Sequence, residues 1–317
     1  MVKQTVVVTG GAGFIGGHLV ELLLQKKYKV IVIDIQKRCK SYFFLNKLDK
    51  KVVYKRVDIR KQKQVERFFG SVHPAYVIHL AAQPIVQDAY DRPYDVFDTN
   101  IMGTVNILEA CRRDKKIKRI LVASSDKAYG KTKKTYTESS PLQGDHPYDV
   151  SKSCEDLIAY TYFKTYNLPV VITRFGNVYG EGDVHFDRLV PGICESLITK
   201  KPFQIRSDGT YVRDYIYVND VAAGYMTLLA TKRDIEGEAF NFSSDDTYSV
   251  LKLIKQAELS LHVKIPYEIK NTAKNEIPYQ HLNDTKIRLL GWRGRMKFDK
   301  VFPKIFTWYL KNISNGG

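Results

Sequence analysis

Short apolar runs and stretches of helical periodicity alternate along the first half of the chain. Val6, Val7 and Val8 form an unbroken run, as expected of a parallel strand buried on both faces, and Phe14, Ile15, Leu19, Val20, Leu22 and Leu23 then recur at helical spacing to about Gln25. Val30 to Ile33 is a second run, Val52 to Val57 a third, Ala75 to Leu80 a fourth and Ile117 to Ala123 a fifth. Between them lie a lysine-rich helical stretch, a helix through Val65 and Phe69, and a long amphipathic helix from Pro93 to Arg113 with Ile101, Val105, Leu108 and Cys111 on one side. This alternation predicts a doubly wound parallel α/β sheet whose ligands sit beyond the strand C-termini. Val170 to Arg174 adds a sixth strand, after which the pattern loosens. Asp208-Gly209 predicts a hairpin between Phe203–Ile205 and Tyr211–Tyr217, and Asp220 caps a helix through Leu229. Phe240-Asn241-Phe242 is a short strand, Val250 to Leu261 a helix and Val301 to Leu310 a closing amphipathic helix.

The chemistry collects where strands end. Thr9-Gly10-Gly11-Ala12-Gly13-Phe14-Ile15-Gly16 joins the first strand to the first helix, and Gly10, Gly13 and Gly16 stand where a Cβ would block a pyrophosphate approaching the helix N-terminus. The second strand ends in Asp34, whose carboxylate can accept from ribose hydroxyls and would repel a 2′-phosphate, so NAD is expected over NADP. Lys37 and Arg38 temper that preference. Asp58, before Ile59, could reach an adenine amino group or cap the next helix, and both can be true. Leu80-Ala81-Ala82-Gln83-Pro84 carries small residues that let the chain lie flat beside a cofactor. Ser124-Ser125-Asp126-Lys127 follows the fifth strand, and Tyr148 and Lys152 share one face of a helix, where the ammonium can stabilise a phenolate. A phenol of pKa about 10 is otherwise too weak an acid to yield a base near neutral pH. The layout implies a Rossmann domain over residues 1–176 and a smaller α+β substrate-binding domain over residues 177–317, with some chain crossing back to the sheet.

Composition changes this picture little. The 317 residues are 44% hydrophobic, as in ordinary globular proteins, and 50 Lys and Arg against 34 acids give a formal net charge of +16. The excess is scattered, with concentrations from Lys26 to Arg67 and from Arg293 to Lys304 and no aromatic-interleaved basic motif, so a solvated surface is expected and no nucleic-acid partner. Cys39, Cys111, Cys154 and Cys194 show neither metal-ligand spacing nor a disulfide framework, so no metal is expected and free thiols fit a reducing cytoplasm. Met1 leads almost directly into the first strand, leaving no room for a signal peptide, and no apolar run approaches the roughly 20 residues that span a bilayer, so no membrane partner is expected.

Together these pieces resemble an extended short-chain dehydrogenase/reductase of the nucleotide-sugar epimerase/dehydratase group. The resemblance rests on the glycine turn, Asp34, Asp58-Ile59, His79-Leu80-Ala81-Ala82, Thr99-Asn100, the serine loop, Tyr148-x-x-x-Lys152, Gly176-Asn177-Val178-Tyr179-Gly180 and Arg213-Asp214-Tyr215. Ser125-Asp126-Lys127 is of the 4,6-dehydratase type. Ala81-Ala82-Gln83-Pro84, Thr99-Asn100-x-x-Gly103-Thr104, Gly180-x-Gly182-Asp183 and Asp187-Arg188-x-Val190-Pro191 look most like CDP-glucose 4,6-dehydratases. Gly17 replaces a usual serine, and Arg206-Ser207-Asp208-Gly209 through Arg213-Asp214 is closer to the epimerase style.

The resemblance implies NAD held by Gly10, Gly13, Phe14, Ile15, Gly16, Asp34, Asp58, Ile59, Leu80, Ala81, Ala82, Gln83, Thr99, Ser124, Tyr148 and Lys152. A nucleotide-diphosphate sugar (CDP-, UDP-, GDP- or dTDP-hexose) would lie against Gln83, Asn177, Arg188, Arg206 and Arg213, the arginines gripping the diphosphate. Tyr148, Lys152 and Ser125 would oxidise C4, Asp126 would protonate the leaving C6 hydroxyl, and a base would take the C5 proton. If Lys127 is that base, its pKa must fall from about 10.4 towards 7, a cost of about 4–5 kcal/mol that burial and Lys152 would supply. A 4-epimerase is the first rival reading, and a non-catalytic nucleotide-binding regulator a remote one. In the family, the helices from Pro93 to Arg113 and from Tyr148 to Tyr166 form a four-helix contact, so a homodimer is expected, with Tyr160, Tyr162, Phe163 and Tyr166 at its face.

Overall fold

Six strands pair in parallel in a computed structural model that describes residues 4–36, 40–132, 134–272 and 277–313. They are β1 (Thr5–Thr9), β2 (Lys29–Asp34), β3 (Val53–Arg56), β4 (Tyr76–His79), β5 (Arg119–Ala123) and β6 (Val170–Phe175), in the order β6-β5-β4-β1-β2-β3. A seventh strand, Ala239–Phe242, returns from the late chain and lies parallel to β6, with Phe240 opposite Thr173. Strand side chains alternate between faces: Val6 and Val8 join one core and Val7 the other. On the first face, helix α1 (Phe14–Gln25) packs beside the helix Val218–Ala230, sharing Leu19, Val20, Tyr225 and Leu228. The second face is covered by the helices Gln62–Gly70, Gly103–Arg112 and Pro147–Tyr166, through Val65, Phe69, Ile107, Leu108 and Ala159.

The order reverses between β1 and β4, and the crevice at their C-terminal ends is where such sheets hold ligands. Its two lips almost touch. A Cβ on Gly10 would sit 2.7 Å from the Ala81 nitrogen, and the Gly10 φ of +68° is left-handed, so that corner takes only glycine without strain. Beyond the crevice, Asn177–Tyr179, Val212–Tyr217 and Thr247–Ser249 form a small mixed sheet over a third core of Ile193, Ile205, Tyr217, Leu253, Phe298 and Phe302.

Several elements depart from the pattern read along the chain. The hairpin does not form: Phe203–Ile205 pairs with Tyr267–Ile269, whereas Val212–Tyr217 pairs with Thr247–Ser249 and Asn177–Tyr179. Asp208 and Gly209 do make a turn, in which the Asp208 carboxylate accepts from the Thr210 N–H and hydroxyl at 2.8 and 2.7 Å, but Gly209 packs on Leu251 and the chain leaves for another sheet. Asp220 does not cap its own helix, which begins after Tyr217. It accepts from the N–H groups of Arg295 and Met296 at 3.0 and 2.9 Å and so ties down the late chain. The long helix after Pro93 carries a π turn over Asp98–Met102. Tyr162 and Phe163 turn inward, contrary to the expected dimer face: Tyr162 is buried with its hydroxyl on Glu109, and Phe163 packs on Gly237.

Candidate active site

The glycine turn has the geometry of a pyrophosphate cradle. Gly13 precedes α1 and supplies no side-chain cap, so the first N–H groups, at Phe14 and Ile15, face outward at the positive end of the helix. A Cβ on Gly16 would overlap the Gly10 carbonyl oxygen, whereas one on Gly13 would meet only that oxygen, at 3.2 Å. One side of the turn is therefore packed on protein and the other is open, which is the room a dinucleotide needs. Asp34 is buried at the edge of this cradle, its Oδ2 accepting from the Ala12 N–H at 3.0 Å and its Oδ1 from the Gln36 N–H at 3.1 Å. Burial raises its pKa above the usual carboxylate range, against those two bonds. Lys37, Arg38 and Cys39 lie outside the described residues.

Asp58 is neither helix cap nor unpartnered. The Arg60 guanidinium, 2.8 Å away, holds its pKa low, and the next helix is capped at Lys61. Ile59 is buried against Gly103, and its carbonyl accepts from the Asn106 amide at 2.8 Å. After β4, the Leu80 and Ala81 N–H groups bond to Thr9, and Ala82 follows half-buried. The Gln83 N–H goes to Asn100 at 2.7 Å and its side-chain amide to Asp88 at 2.6 Å. The π turn makes this possible, because it aims Asn100 inward to hold both Gln83 and the Ser151 hydroxyl, and leaves Thr99 half-buried on the rim.

Tyr148 and Lys152 come from the first turns of the helix Pro147–Tyr166, capped by His146, whose Nδ1 accepts from the Tyr148 N–H at 3.3 Å. Burial raises the Tyr148 phenol pKa, and the Lys152 charge and a hydrogen bond with Ser125 pull against it. The Lys152 amine donates to the Ala123 carbonyl at 2.8 Å and to Glu155 at 2.6 Å. Ser124 reaches the Lys152 carbonyl at 3.4 Å. Asp149, beside Tyr148, is a buried carboxyl whose pKa burial pushes up to about 7.

Asp126 lies at the end of β5 with 3% of its surface exposed. Its Oδ1 accepts from the Ser125 hydroxyl at 3.1 Å and its Oδ2 from the Gln280 amide at 3.2 Å. Burial raises its pKa, and the Lys127 and Arg213 charges oppose this without overcoming it. The Lys127 amine donates to the other end of the same amide, at 2.5 Å. Gln280 therefore bridges the two side chains, its amide nitrogen donating to Asp126 and its amide oxygen accepting from the Lys127 amine. Nothing in the local sequence announces Gln280. The positive charge that Lys152 was expected to lend to Lys127 is met instead by Glu155.

Arg188 acts on the Tyr148 phenol and pairs with the buried Asp183 at 3.1 Å, Arg213 acts on Asp126, and Asn177 reaches the Asp214 carbonyl at 3.5 Å. Arg206 is exposed and touches the carbonyl of Asp187 at 3.4 Å, next to Arg188. Asp214 accepts from Ser243, Thr247, His281 and the Leu282 N–H, each at 2.7 Å, and so brings the segment bearing Gln280 back to the site.

The NAD dependent epimerase/dehydratase family matches residues 6–243. This chain belongs to that family. Its NAD dependence agrees with the glycine turn and with Asp34. A dTDP-D-glucose 4,6-dehydratase of Bos taurus is 29% identical over 326 residues, spanning 98% of this chain and 90% of that protein. The crystal structure of UDP-glucose 4-epimerase from Thermotoga maritima matches at a TM-score of 0.90 and 27% identity, covering 98% of this chain and 100% of that one. A dTDP-glucose 4,6-dehydratase from Streptomyces venezuelae, crystallised with NAD, matches at 0.88 and 28%, covering 98% of each. Dehydratases and epimerases thus share this fold, and only the site can divide them. No helix among the described residues is long and apolar enough to cross a membrane.

Proposed function

We propose that this protein is a nucleoside-diphosphate-hexose 4,6-dehydratase that binds NAD, works in the cytoplasm as a homodimer and makes a 4-keto-6-deoxy sugar nucleotide. The observation that carries this reading is the buried Asp126 carboxyl, its pKa raised by burial and its side chain bridged through the Gln280 amide to Lys127. An epimerase removes and returns hydride at C4, for which Tyr148, Lys152 and Ser125 suffice, and has no need of a buried acid with a raised pKa one step further along the sugar.

NAD, when bound, would supply a hydride acceptor for C4 and, once reduced, the hydride for C6. Tyr148 takes the C4 hydroxyl proton, its phenolate favoured by Lys152 and by the hydrogen bond with Ser125. The C4 ketone acidifies the C5 proton, which Lys127 removes, Asp126 protonates the departing C6 hydroxyl so that it leaves as water, and Lys127 gives its proton back to C5 when hydride reaches C6. The raised pKa of Asp126 is what a proton donor needs. Asp34 holds the adenosine ribose, Gly10 to Gly16 the pyrophosphate, and Arg188, Arg206 and Arg213 the substrate diphosphate, with Gln83 and Asn177 against the sugar. The nucleotide of the substrate stays open among CDP, UDP, GDP and dTDP. For the dimer, Tyr94, Met102, Leu157 and Tyr160 expose large apolar surface on the two helical segments expected to meet a second copy.

Incubation with CDP-, UDP-, GDP- and dTDP-hexoses tests the reading. One of them is expected to yield a product lighter by one water, and a product of unchanged mass with C4 inverted would establish the epimerase instead.

A further inference from the structure

Lys152 has a charged companion. Glu155 lies one turn further along the same helix, with its Oε2 2.6 Å from the lysine nitrogen and only 1% of its side chain exposed. The second N–H of the lysine goes to the Ala123 carbonyl. We propose that Glu155 is a positioning residue for the oxidation step: it anchors the Lys152 ammonium and, by carrying or losing its own charge, sets the pH at which Tyr148 becomes a phenolate.

The argument is one of charge in a dry site. With Glu155 ionised, the ammonium is already neutralised, and a phenolate would be a second anion with a single cation between the two. With Glu155 protonated, the ammonium serves the phenolate alone. Tyrosine, lysinium and glutamate together hold the same number of protons as tyrosinate, lysinium and glutamic acid, and both sets are neutral overall. The base form of Tyr148 can therefore arise without the buried site acquiring net charge, provided Glu155 holds the proton. Burial pushes the Glu155 carboxyl up to about 7, against the pull of Lys152, so the two groups titrate as a coupled pair.

Among the described residues Lys152 is the charged group in direct contact with this carboxylate, and Arg188 is a second positive charge facing the Tyr148 phenol. Asp156, on the same helix, is held by Arg174 of β6 through two bonds of 2.7 Å. From the helix Gly103–Arg112 the Thr104 hydroxyl faces Glu155, and behind it stands His79, uncharged because burial pushes its pKa down to about 3. From the helix Val218–Ala230 the facing group is the neutral Tyr225 phenol, its pKa raised by burial.

Glu155→Gln keeps the shape and the acceptor for Lys152 but removes the charge. The readout is the ultraviolet difference absorbance of the Tyr148 phenolate against pH in protein saturated with NAD, with Tyr148→Phe subtracted to remove the other tyrosines. We expect the Gln variant to ionise about one pH unit lower, roughly tenfold more phenolate at a given pH below both midpoints. An unchanged midpoint would overturn the proposal. If the variant does not fold, the unmodified protein decides: coupling to Glu155 spreads its phenolate curve beyond that of a single site, and a single-site curve would overturn the proposal equally. The role of Tyr148 as base is common to dehydratase and epimerase, and no sugar substrate enters this measurement, so its failure is distinct from failure of the dehydratase reading.

Discussion

The two halves of the site solve opposite problems. Around Tyr148, the proposed mechanism needs a base that appears and disappears within one catalytic cycle, and the groups beside it are charged, buried and drawn from one helix: Lys152 at one turn, Glu155 at the next. Around Asp126, an acid and an amine adjacent in sequence share the two ends of an uncharged amide 153 residues from Lys127. Charge meets charge directly in the first half, whereas a neutral amide joins the groups of the second. An enzyme that only inverted C4 would need the first half alone.

Tyr148→Phe is the largest break. It leaves the second half intact, yet should abolish turnover and the absorbance of reduced nicotinamide together, a loss of about 10²–10⁴-fold in stopped-flow and steady-state rates. Asp126→Asn strikes the second half and should slow product formation by about 10²–10³-fold while reduced nicotinamide still appears. In the proposed mechanism Asp126 acts in its protonated form, so the rate in the unmodified enzyme should fall as pH rises through the elevated Asp126 pKa, and the Asn variant should lose that limb in a pH–rate profile. Asp34→Ala touches neither half and serves as the contrast. It should narrow the difference between NAD and NADP affinity, read by calorimetry, by about 1.5–3 kcal/mol, the worth of hydrogen bonds to a charged group, with the chemistry of both halves unchanged. The smallest effect is expected for Gln280→Leu, where Lys127 can close on Asp126 and lower its pKa. A drop of about one unit would reduce the acid form and the elimination rate by roughly tenfold at a pH above that limb.

The first half was legible in the sequence because its residues lie on one helix at fixed spacing. Tyr148 and Lys152 were read from that spacing, and Glu155 carried the same signal, an acid one turn beyond a lysine on the same face. The glycine turn and the strands were legible for a similar reason, since burial on both faces writes an unbroken apolar run. Gln280 was not, because an amide carries no motif and its place depends on Asp214 gathering donors from two separate segments, Ser243 and Thr247 on one and Leu282 on the other. The false hairpin has the same origin: Asp208-Gly209 makes a real turn, but which strands pair afterwards is decided by tertiary contact with Leu251 and Tyr267–Ile269. Tyr162 shows the limit of counting aromatics, since a helix presents successive residues to different sides and this one faces the core.

The central claim is that hydride leaves C4 and returns at C6. Deuterium placed at C4 of the nucleotide hexose that turns over, followed by magnetic resonance of the product, tests this directly. The account predicts the label at C6 of a 4-keto-6-deoxy sugar. Label recovered at C4 of a sugar that keeps its C6 hydroxyl would contradict it.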